Sequence, residues 1–179
     1  MRNHGFTFKY VHSSIYGITY RADSRMLLPE TRKSGITIPG RSGTYYQRDG
    51  AYNTREESFT CYYQPKISQT TARATRDIAM WLSGRGQIVF DDEPDKYYIG
   101  MLSGAPPLDR HLKYGEFELT FLYDPPFAFG AEQRKPLAVG VNPIAYAGTA
   151  ETPCQIIINN TGSTTVQTLK ITAIRRRAE

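Results

Sequence analysis

Four acidic residues lie within five positions in the segment DDEPD, residues 91–95. Two chemical roles are possible for this cluster, a pair of catalytic carboxylates or a calcium site. Its members are Asp91, Asp92, Glu93 and Asp95. Two catalytic carboxylates must converge on a cleft whose surroundings give them different pKa values. Acidic side chains on one short turn instead repel one another and point into the solvent. A calcium loop needs acids at alternating positions, a glycine and a distant bidentate Glu, and this segment lacks that pattern. We therefore predict an exposed, solvated turn with no metal or cofactor.

The other residues capable of catalysis show no recognisable arrangement. The three histidines lie in loop or strand-edge contexts, and no serine stands in a G-x-S-x-G motif, so a Ser/His/Asp triad is not predicted. The segment GRSG, residues 40–43, lacks the Lys-Ser/Thr of a phosphate-binding loop and is interpreted as a tight turn. Cys61 and Cys154 have neither C-x-x-C nor Cys/His spacing, which predicts neither a zinc site nor a disulfide. The sequence therefore predicts a protein that is not an enzyme.

The composition favours short strands and turns over helical bundles. The 179 residues include thirteen Tyr, fifteen Gly and eleven Pro, and the mean hydropathy is −0.48. No apolar run is long enough to span a bilayer, and the N-terminal segment lacks the apolar stretch of a secretory signal. The net charge of +5 leaves a basic nucleic-acid binder as a weaker hypothesis, although the compact basic run, RRR at 175–177, is typical of a solvated tail.

A single helix is predicted over residues 68–83. Ala74, Ile78, Trp81 and Leu82 follow a helical spacing and form one apolar stripe. Ser68 or Thr70 is the predicted N-cap and Gly84 the predicted stop, since these residue types favour helix ends. We interpret Trp81 as a core anchor that packs the helix onto a sheet.

The remaining patterns predict strands. SFTCYY, residues 58–63, alternates with Phe59, Cys61 and Tyr63 on one face, and GEFELTFLY, residues 115–123, alternates in the same way. QIVF and KYYIGML flank the acidic turn as a hairpin, and two further strands are predicted around NNTGS, residues 159–163. The fold class that follows is mainly β, an antiparallel β-sandwich with one α-helix and a short C-terminal β segment.

The order of several motifs resembles one known family. PGRSG, DGAYNTR, WLSGRGQIVFDDEPDKYY and FELTFLYDPPFAFG occur in the order typical of the N-terminal domain of the distal tail proteins of long-tailed phages and prophages. The resemblance covers roughly residues 1–130, so residues 1–135 are assigned to a ring-forming domain. Residues 136–179 are assigned to a linker and the opening of the family's galectin-like second domain. This segment is too short to form a complete domain of that kind.

The resemblance implies a structural role in the virion. Members of this family form a ring, typically a hexamer, that joins the tail tube to the tail-tip or tail-associated protein, and some hold a receptor-binding protein. The protein would be made in the host cytoplasm and located at the tail tip. DNA would pass through the ring without sequence-specific recognition, so we expect most of the basic excess to face neighbours or solvent. No cofactor and no membrane insertion are expected.

The subunit contacts of such a ring are predicted in two segments, the loop at residues 24–57 and the hairpin at residues 87–102. Exposed edge strands can extend a neighbour's sheet, and tyrosine buries area at small entropic cost. The candidate interface residues are Arg41, Tyr45, Tyr46, Tyr52, Tyr97 and Tyr98. Two alternatives remain open at this point: the tyrosines simply cover the sheet, or the protein is a carbohydrate-binding β-sandwich that recognises cell-wall polymers.

Overall fold

The computed structural model describes residues 4–21, 26, 28–64, 70–104 and 115–173, without the side chains of Arg48, Asp49 and Thr71. The basic run at 175–177 and Ser68 lie outside these residues. The contacts divide the chain into two units, Met1–Leu137 and Ala138–Glu179. The helix in the described part spans 12 residues, and no helix there is long and apolar enough to cross a membrane.

The first unit contains the strands and the helix predicted from the sequence. The strands of the described residues are β1 Phe6–Phe8, β2 Val11–His12, β3 Ile18–Arg21, β4 Thr31–Thr37, β5 Thr44–Tyr52, β6 Arg55–Tyr63, β7 Arg85–Phe90, β8 Tyr98–Leu102 and β9 Gly115–Tyr123. A 3-10 helix, Ser13–Tyr16, precedes β3, and the α-helix α1, Thr71–Leu82, connects β6 to β7. The mainly β class with one α-helix is therefore confirmed.

Seven of these strands form one antiparallel sheet in the order β2-β1-β7-β8-β9-β6-β3. The sheet curls and closes on itself. At the closure His4, just before β1, exchanges two backbone hydrogen bonds of 3.0 and 2.8 Å with Tyr20 of β3. The two layers of the predicted sandwich are thus halves of one closed sheet, which we call the barrel. Closure removes the free edges of β1 and β3 at this point.

Aromatic side chains fill the barrel. The inward positions alternate along each strand, so that Phe59, Cys61 and Tyr63 of β6 are buried on one face, as predicted. Burial raises the pKa of the Cys61 thiol to about 12, which makes this cysteine a small apolar core residue at neutral pH. The fully buried large side chains are Tyr20, Tyr123, Phe6, Phe8, Phe90, Phe121, Ile18, Ile88 and Leu119.

Helix α1 packs its apolar stripe against the barrel. Trp81 is buried, its ring stacks on Phe6 at 5.5 Å and on Tyr16 at 4.7 Å, and its indole N–H donates to the carbonyl of Phe8 at 2.9 Å. This is the anchoring role predicted from the spacing of the stripe. Thr70 is the N-cap residue but makes no side-chain capping bond, and Gly84 ends the helix with a φ of 71°.

The strands β4 and β5 form a separate two-stranded sheet, which we call the arm, residues 31–52. Its register pairs Gly35 with Tyr46 and Ile36 with Tyr45. At the base of the arm the Asn53 N–H donates to the Glu30 carbonyl at 2.8 Å, and β6 begins two residues later. Along this segment the described side chains are mostly exposed, and the arm therefore contributes little to the barrel core.

The second unit, Ala138–Glu179, forms no helix or strand in its described residues, 138–173. Its bonds are local, such as that from the Ala138 N–H to the side chain of Asn142 at 2.9 Å. The two strands predicted around residues 159–163 are not formed. A β-strand needs a partner strand and a buried face, and the exposed side chains of this unit find neither within it.

Candidate functional site

The acidic turn, residues 91–95, is tied to the start of the barrel. The Asp91 carboxylate accepts the backbone N–H of Gly5 at 2.9 Å and contacts His12 Nε2 at 3.2 Å. The Asp91 N–H in turn donates to the Gly5 carbonyl at 3.1 Å. A Cβ on Gly5 would lie 2.5 Å from the His12 ring and 2.8 Å from Asp91, so only glycine fits between them.

The other acids of the turn have different partners. Asp92 accepts from the Tyr20 hydroxyl at 2.5 Å and Glu93 from the Tyr98 hydroxyl at 3.1 Å. Asp95 pairs with Lys96 at 2.5 Å, and this hydrogen bond lowers the pKa of the Asp95 carboxyl. The predicted exposed turn is confirmed for Asp91, Asp92 and Asp95, but the turn is also anchored to the barrel. Its acids diverge toward separate partners and do not converge on one cleft.

His12 brings Ser14 and Asp91 into a Ser/His/Asp contact that the sequence did not indicate. Its Nδ1 lies 2.7 Å from the Ser14 hydroxyl and also accepts the Ser14 N–H at 3.2 Å, which makes His12 the N-cap of the 3-10 helix. The Nε2 then faces Asp91, so one imidazole caps a helix and holds the acidic turn. His12 and Asp91 are 79 residues apart in the sequence, whereas His12 and Ser14 are two residues apart. Local spacing therefore gave no signal for the contact between His12 and Asp91.

A buried ion pair lies at the start of β6. The guanidinium of Arg55 donates to Glu57 and to the carbonyl of Met26 at 2.9 Å, while Glu57 accepts the Met26 N–H at 2.9 Å. Arg55 also lies over the rings of Tyr98 and Tyr123, at 5.7 and 6.0 Å from their centroids. The pair fixes the connection that leads into the arm. Its sequence signal was available, because Arg55 and Glu57 are in phase with the inward residues of the same strand.

Four of the six predicted interface residues lie on the arm: Arg41, Tyr45, Tyr46 and Tyr52. Tyr45 and Tyr46 are 56% and 60% exposed, and as consecutive strand residues they point to opposite faces. Tyr52, at the base of the arm, contacts the ring of Phe127 edge-on at 5.1 Å. Tyr45 and Tyr46 therefore lie on opposite faces of the arm, and they do not together form the exposed aromatic platform that the carbohydrate-binding alternative predicts.

The last two predicted interface residues, Tyr97 and Tyr98, lie on the barrel next to the acidic turn. Tyr97 is half-buried and stacks on Phe129 at 5.3 Å, where the two residues also exchange backbone hydrogen bonds. Tyr98 is only 5% exposed and packs beside Phe90 and Tyr123. The assignment of Tyr98 to an interface is thus corrected, because strand alternation directs its side chain into the barrel.

A cavity of about 370 Å³ lies between α1 and the ends of β8 and β9. Apolar side chains dominate its lining, including Ile78, Leu82, Phe117 and Leu119, with the hydroxyls of Thr75 and Ser83 as polar groups. No group of three or more His, Cys, Asp or Glu side chains that could hold a metal ion occurs among the residues described.

Comparison with known proteins adds two findings. The model of the phage tail protein RIFT-related domain family matches residues 14–123, which include the barrel strands from β3 to β9, the arm and α1. The crystal structure of the Dit (gp 19.1) protein of phage SPP1, described as a paradigm of the hub adsorption apparatus in phages infecting Gram-positive hosts, has a similar fold. No curated protein matches the chain.

The similarity to the SPP1 protein is one of fold. The TM-score is 0.57 at 16% sequence identity, and the match covers 72% of this chain and 52% of the SPP1 chain. The chain thus spans about half the length of that protein. The family match, in contrast, is one of sequence and covers more than half of this chain.

Proposed function

This chain belongs to the phage tail protein RIFT-related domain family, and from that premise we propose that it is a ring-forming hub subunit at the distal end of a long phage tail. The family match over residues 14–123 is the observation that carries the proposal. The ring, with six copies as its expected number, joins the tail tube protein on one side to the tail-tip or tail-associated protein on the other. The ring also offers an attachment point for a receptor-binding protein.

The contrast between the barrel and the arm supports this role. The barrel is filled by its own aromatic side chains and needs no partner to bury them. The arm exposes Tyr45, Tyr46 and Ile36, and in the part of the chain that the structure describes its two strands form a sheet of their own. An exposed two-stranded sheet with aromatic side chains suits contact with a neighbouring subunit, since a partner supplies both backbone hydrogen bonds and buried area. Tyrosine and arginine are also enriched in such interfaces.

The contacts that anchor the acidic turn are consistent with a structural role for the protein. The contacts of Asp91 and Asp92 hold the β7–β8 hairpin onto Gly5, just before β1, and onto Tyr20 of β3, and Glu93 accepts from Tyr98 within the hairpin. A ring that bears load along a tail benefits from a rigid subunit, and these bonds fasten the turn with charge-assisted contacts. In this proposal the protein makes and breaks no covalent bond, uses no cofactor and threads DNA without reading its sequence. Its location is the tail tip of the virion, after synthesis in the host cytoplasm.

Negative-stain electron microscopy of the purified chain, alone and mixed with the tail proteins encoded beside it, tests the proposal. We expect annular particles, with the subunit number given by mass photometry of the same samples. Particles that stay monomeric at every concentration and with every tail partner would contradict the ring. A monomer that binds cell-wall polysaccharide by calorimetry would instead support the carbohydrate-binding alternative.

A further inference from the structure

Charge is unevenly distributed between the arm and the barrel. The arm carries four basic residues, Arg32, Lys33, Arg41 and Arg48, and one acidic residue, Asp49. Its net charge of +3 is more than half of the net charge of +5 of the whole chain. Lys33 and Arg41 are exposed, so their charges are available at the surface of the arm.

The outer face of β6 and β9 carries the opposite charge. Glu56, Glu116 and Glu118 are exposed there, on the side of the strands that points away from the core. The register places Glu118 beside Thr60 and Glu116 beside Tyr62, and it places Glu56 beside Leu122. We call this face the outer wall. Its acids thus stand among aromatic and apolar side chains.

Three further residues complete the outer wall. Met101 of β8, which is 44% exposed, pairs with Leu122 and extends the apolar part of the surface. Two basic residues border the wall: Arg21 of β3 pairs with Thr60, and the exposed Arg85 of β7 pairs with Met101. With three glutamates and two arginines the wall keeps a net charge of −1, against +3 on the arm.

The arm is a sheet of its own. The strands β4 and β5 pair with each other, and at the base of the arm Tyr52 contacts the ring of Phe127, which follows β9. Eight residue steps from Tyr52 to Thr44 carry the arm about 25 Å along its strands. A basic surface of this length can reach an acidic wall on a neighbouring molecule.

We propose that the arm of one subunit docks on the outer wall of the next copy, with Lys33 and Arg41 facing Glu116 and Glu118. This inference rests on the proposed ring and names the surfaces that close it. Two different patches meet in such a contact, so it is heterologous and propagates in one direction until rotation closes the ring. The opposite charges select the register of the contact, and the tyrosine of the docked face supplies buried area.

Charge reversal tests this pairing in the full chain. The arm variant carries Lys33→Glu and Arg41→Glu, and the wall variant carries Glu116→Lys and Glu118→Lys. Each variant should raise the subunit concentration needed for half-assembly by at least about tenfold, because like charges then face each other across the contact. Mass photometry and negative-stain microscopy measure the assembled fraction, and circular dichroism melting verifies that each variant is folded.

Restoring complementarity should restore assembly. A chain with all four substitutions carries an acidic arm and a basic wall, and it should assemble within about threefold of the wild-type concentration. An equimolar mixture of the arm variant and the wall variant should also assemble, because alternating copies then place opposite charges at every contact. Such alternation closes only a ring with an even number of subunits, so success in the mixture also supports the expected six.

The control reverses two charges elsewhere, with Arg73→Glu and Arg76→Glu on the exposed face of α1. This variant should assemble as the wild type does. Loss of assembly in the control, unchanged assembly in the arm or wall variants, or failure of the four-substitution chain to recover would each overturn the pairing while the ring itself stands. A wild-type chain that forms no ring alone or with its tail partners would overturn the proposed function instead.

Discussion

Two consecutive strands of nine residues show how differently the same local structure is used in this protein. β5 and β6 are separated by only two residues, Asn53 and Thr54. In β6 every second side chain is buried, from Arg55 to Tyr63, whereas the described side chains of β5 are exposed or half-buried. The strand of the barrel is stabilised by burial within the chain, and the strand of the arm is left with exposed tyrosines.

This difference separates folding from assembly. The barrel gains free energy by burying aromatic side chains, each of which contributes about 1.5–3 kcal/mol when fully buried. The arm gains little of this inside the chain, and in the proposed ring it would bury its side chains against a neighbouring subunit. Substitutions in the barrel should therefore change the stability of the isolated chain, and substitutions in the arm should change its association.

The largest effect is expected in the core. Trp81→Ala removes an indole that stacks on two rings and leaves the Phe8 carbonyl without its donor, and it should lower the free energy of unfolding by about 3–5 kcal/mol. Urea unfolding followed by circular dichroism measures the loss. Met80→Ala is the matched control, because this neighbouring helix residue is 72% exposed and its truncation should cost less than about 0.5 kcal/mol. Equal losses in the two variants would refute the anchoring role of Trp81.

A smaller effect is expected at the junction of the two regions. Glu57→Gln leaves the buried guanidinium of Arg55 without its counter-charge, and we expect a loss of about 2–3 kcal/mol in the free energy of unfolding. The control is Glu56→Gln on the next, exposed residue, which should unfold like the wild type. A Glu57→Gln variant as stable as its control would show that the pair does not hold the barrel together.

The acidic turn should respond more weakly. Asp91→Asn removes the charge that contacts His12, and because the pair is 37% and 44% exposed, the expected loss is about 0.5–1 kcal/mol. Asp95→Asn is the control, since Asp95 is exposed and pairs with its sequence neighbour Lys96, so this substitution should change stability less. Thermal melting at low and at high salt distinguishes them: the difference between the variants should shrink as salt screens the charge.

The smallest effect on stability is expected in the arm. Tyr45→Ala and Tyr46→Ala should each change the free energy of unfolding of the isolated chain by less than about 0.5 kcal/mol, because both side chains are already exposed. Because Tyr46 lies on the same face of the arm as Lys33, Tyr46→Ala should nevertheless weaken assembly more than Tyr45→Ala when the concentration dependence is measured by sedimentation velocity. A loss above about 2 kcal/mol in the monomer would show that the arm is part of the barrel's folding unit.

Much of the fold could be predicted because its signals are local. Alternation placed Phe59, Cys61 and Tyr63 inside the barrel, and the helical spacing placed Trp81 in the core. The C-terminal strands could not be judged in this way. Their composition favours strands, but β-propensity describes fitness for a half-buried sheet, and the second unit contains no such sheet in its described residues.

The candidate site depended more on contacts distant in sequence. The anchoring of the acidic turn joins Asp91 to Gly5, and Asp92 to Tyr20, across separations of 86 and 72 residues. No spacing rule in the sequence relates such positions. The interface tyrosines were predicted as one group, yet alternation alone could have separated Tyr97 from Tyr98, since consecutive strand residues point to opposite faces.

The sequence by itself determined the strand-rich class, the position of the single helix and the faces of β6 and β9, because each depends on a period of two or of 3.6 residues that side-chain chemistry alone displays. Only the tertiary structure decided that the sheet closes through His4 and Tyr20, that the acidic turn is anchored, and that β4 and β5 form a sheet separate from the barrel. Those features arise from the register and curvature of strands that meet only after the chain has folded, and a local pattern carries no information about them.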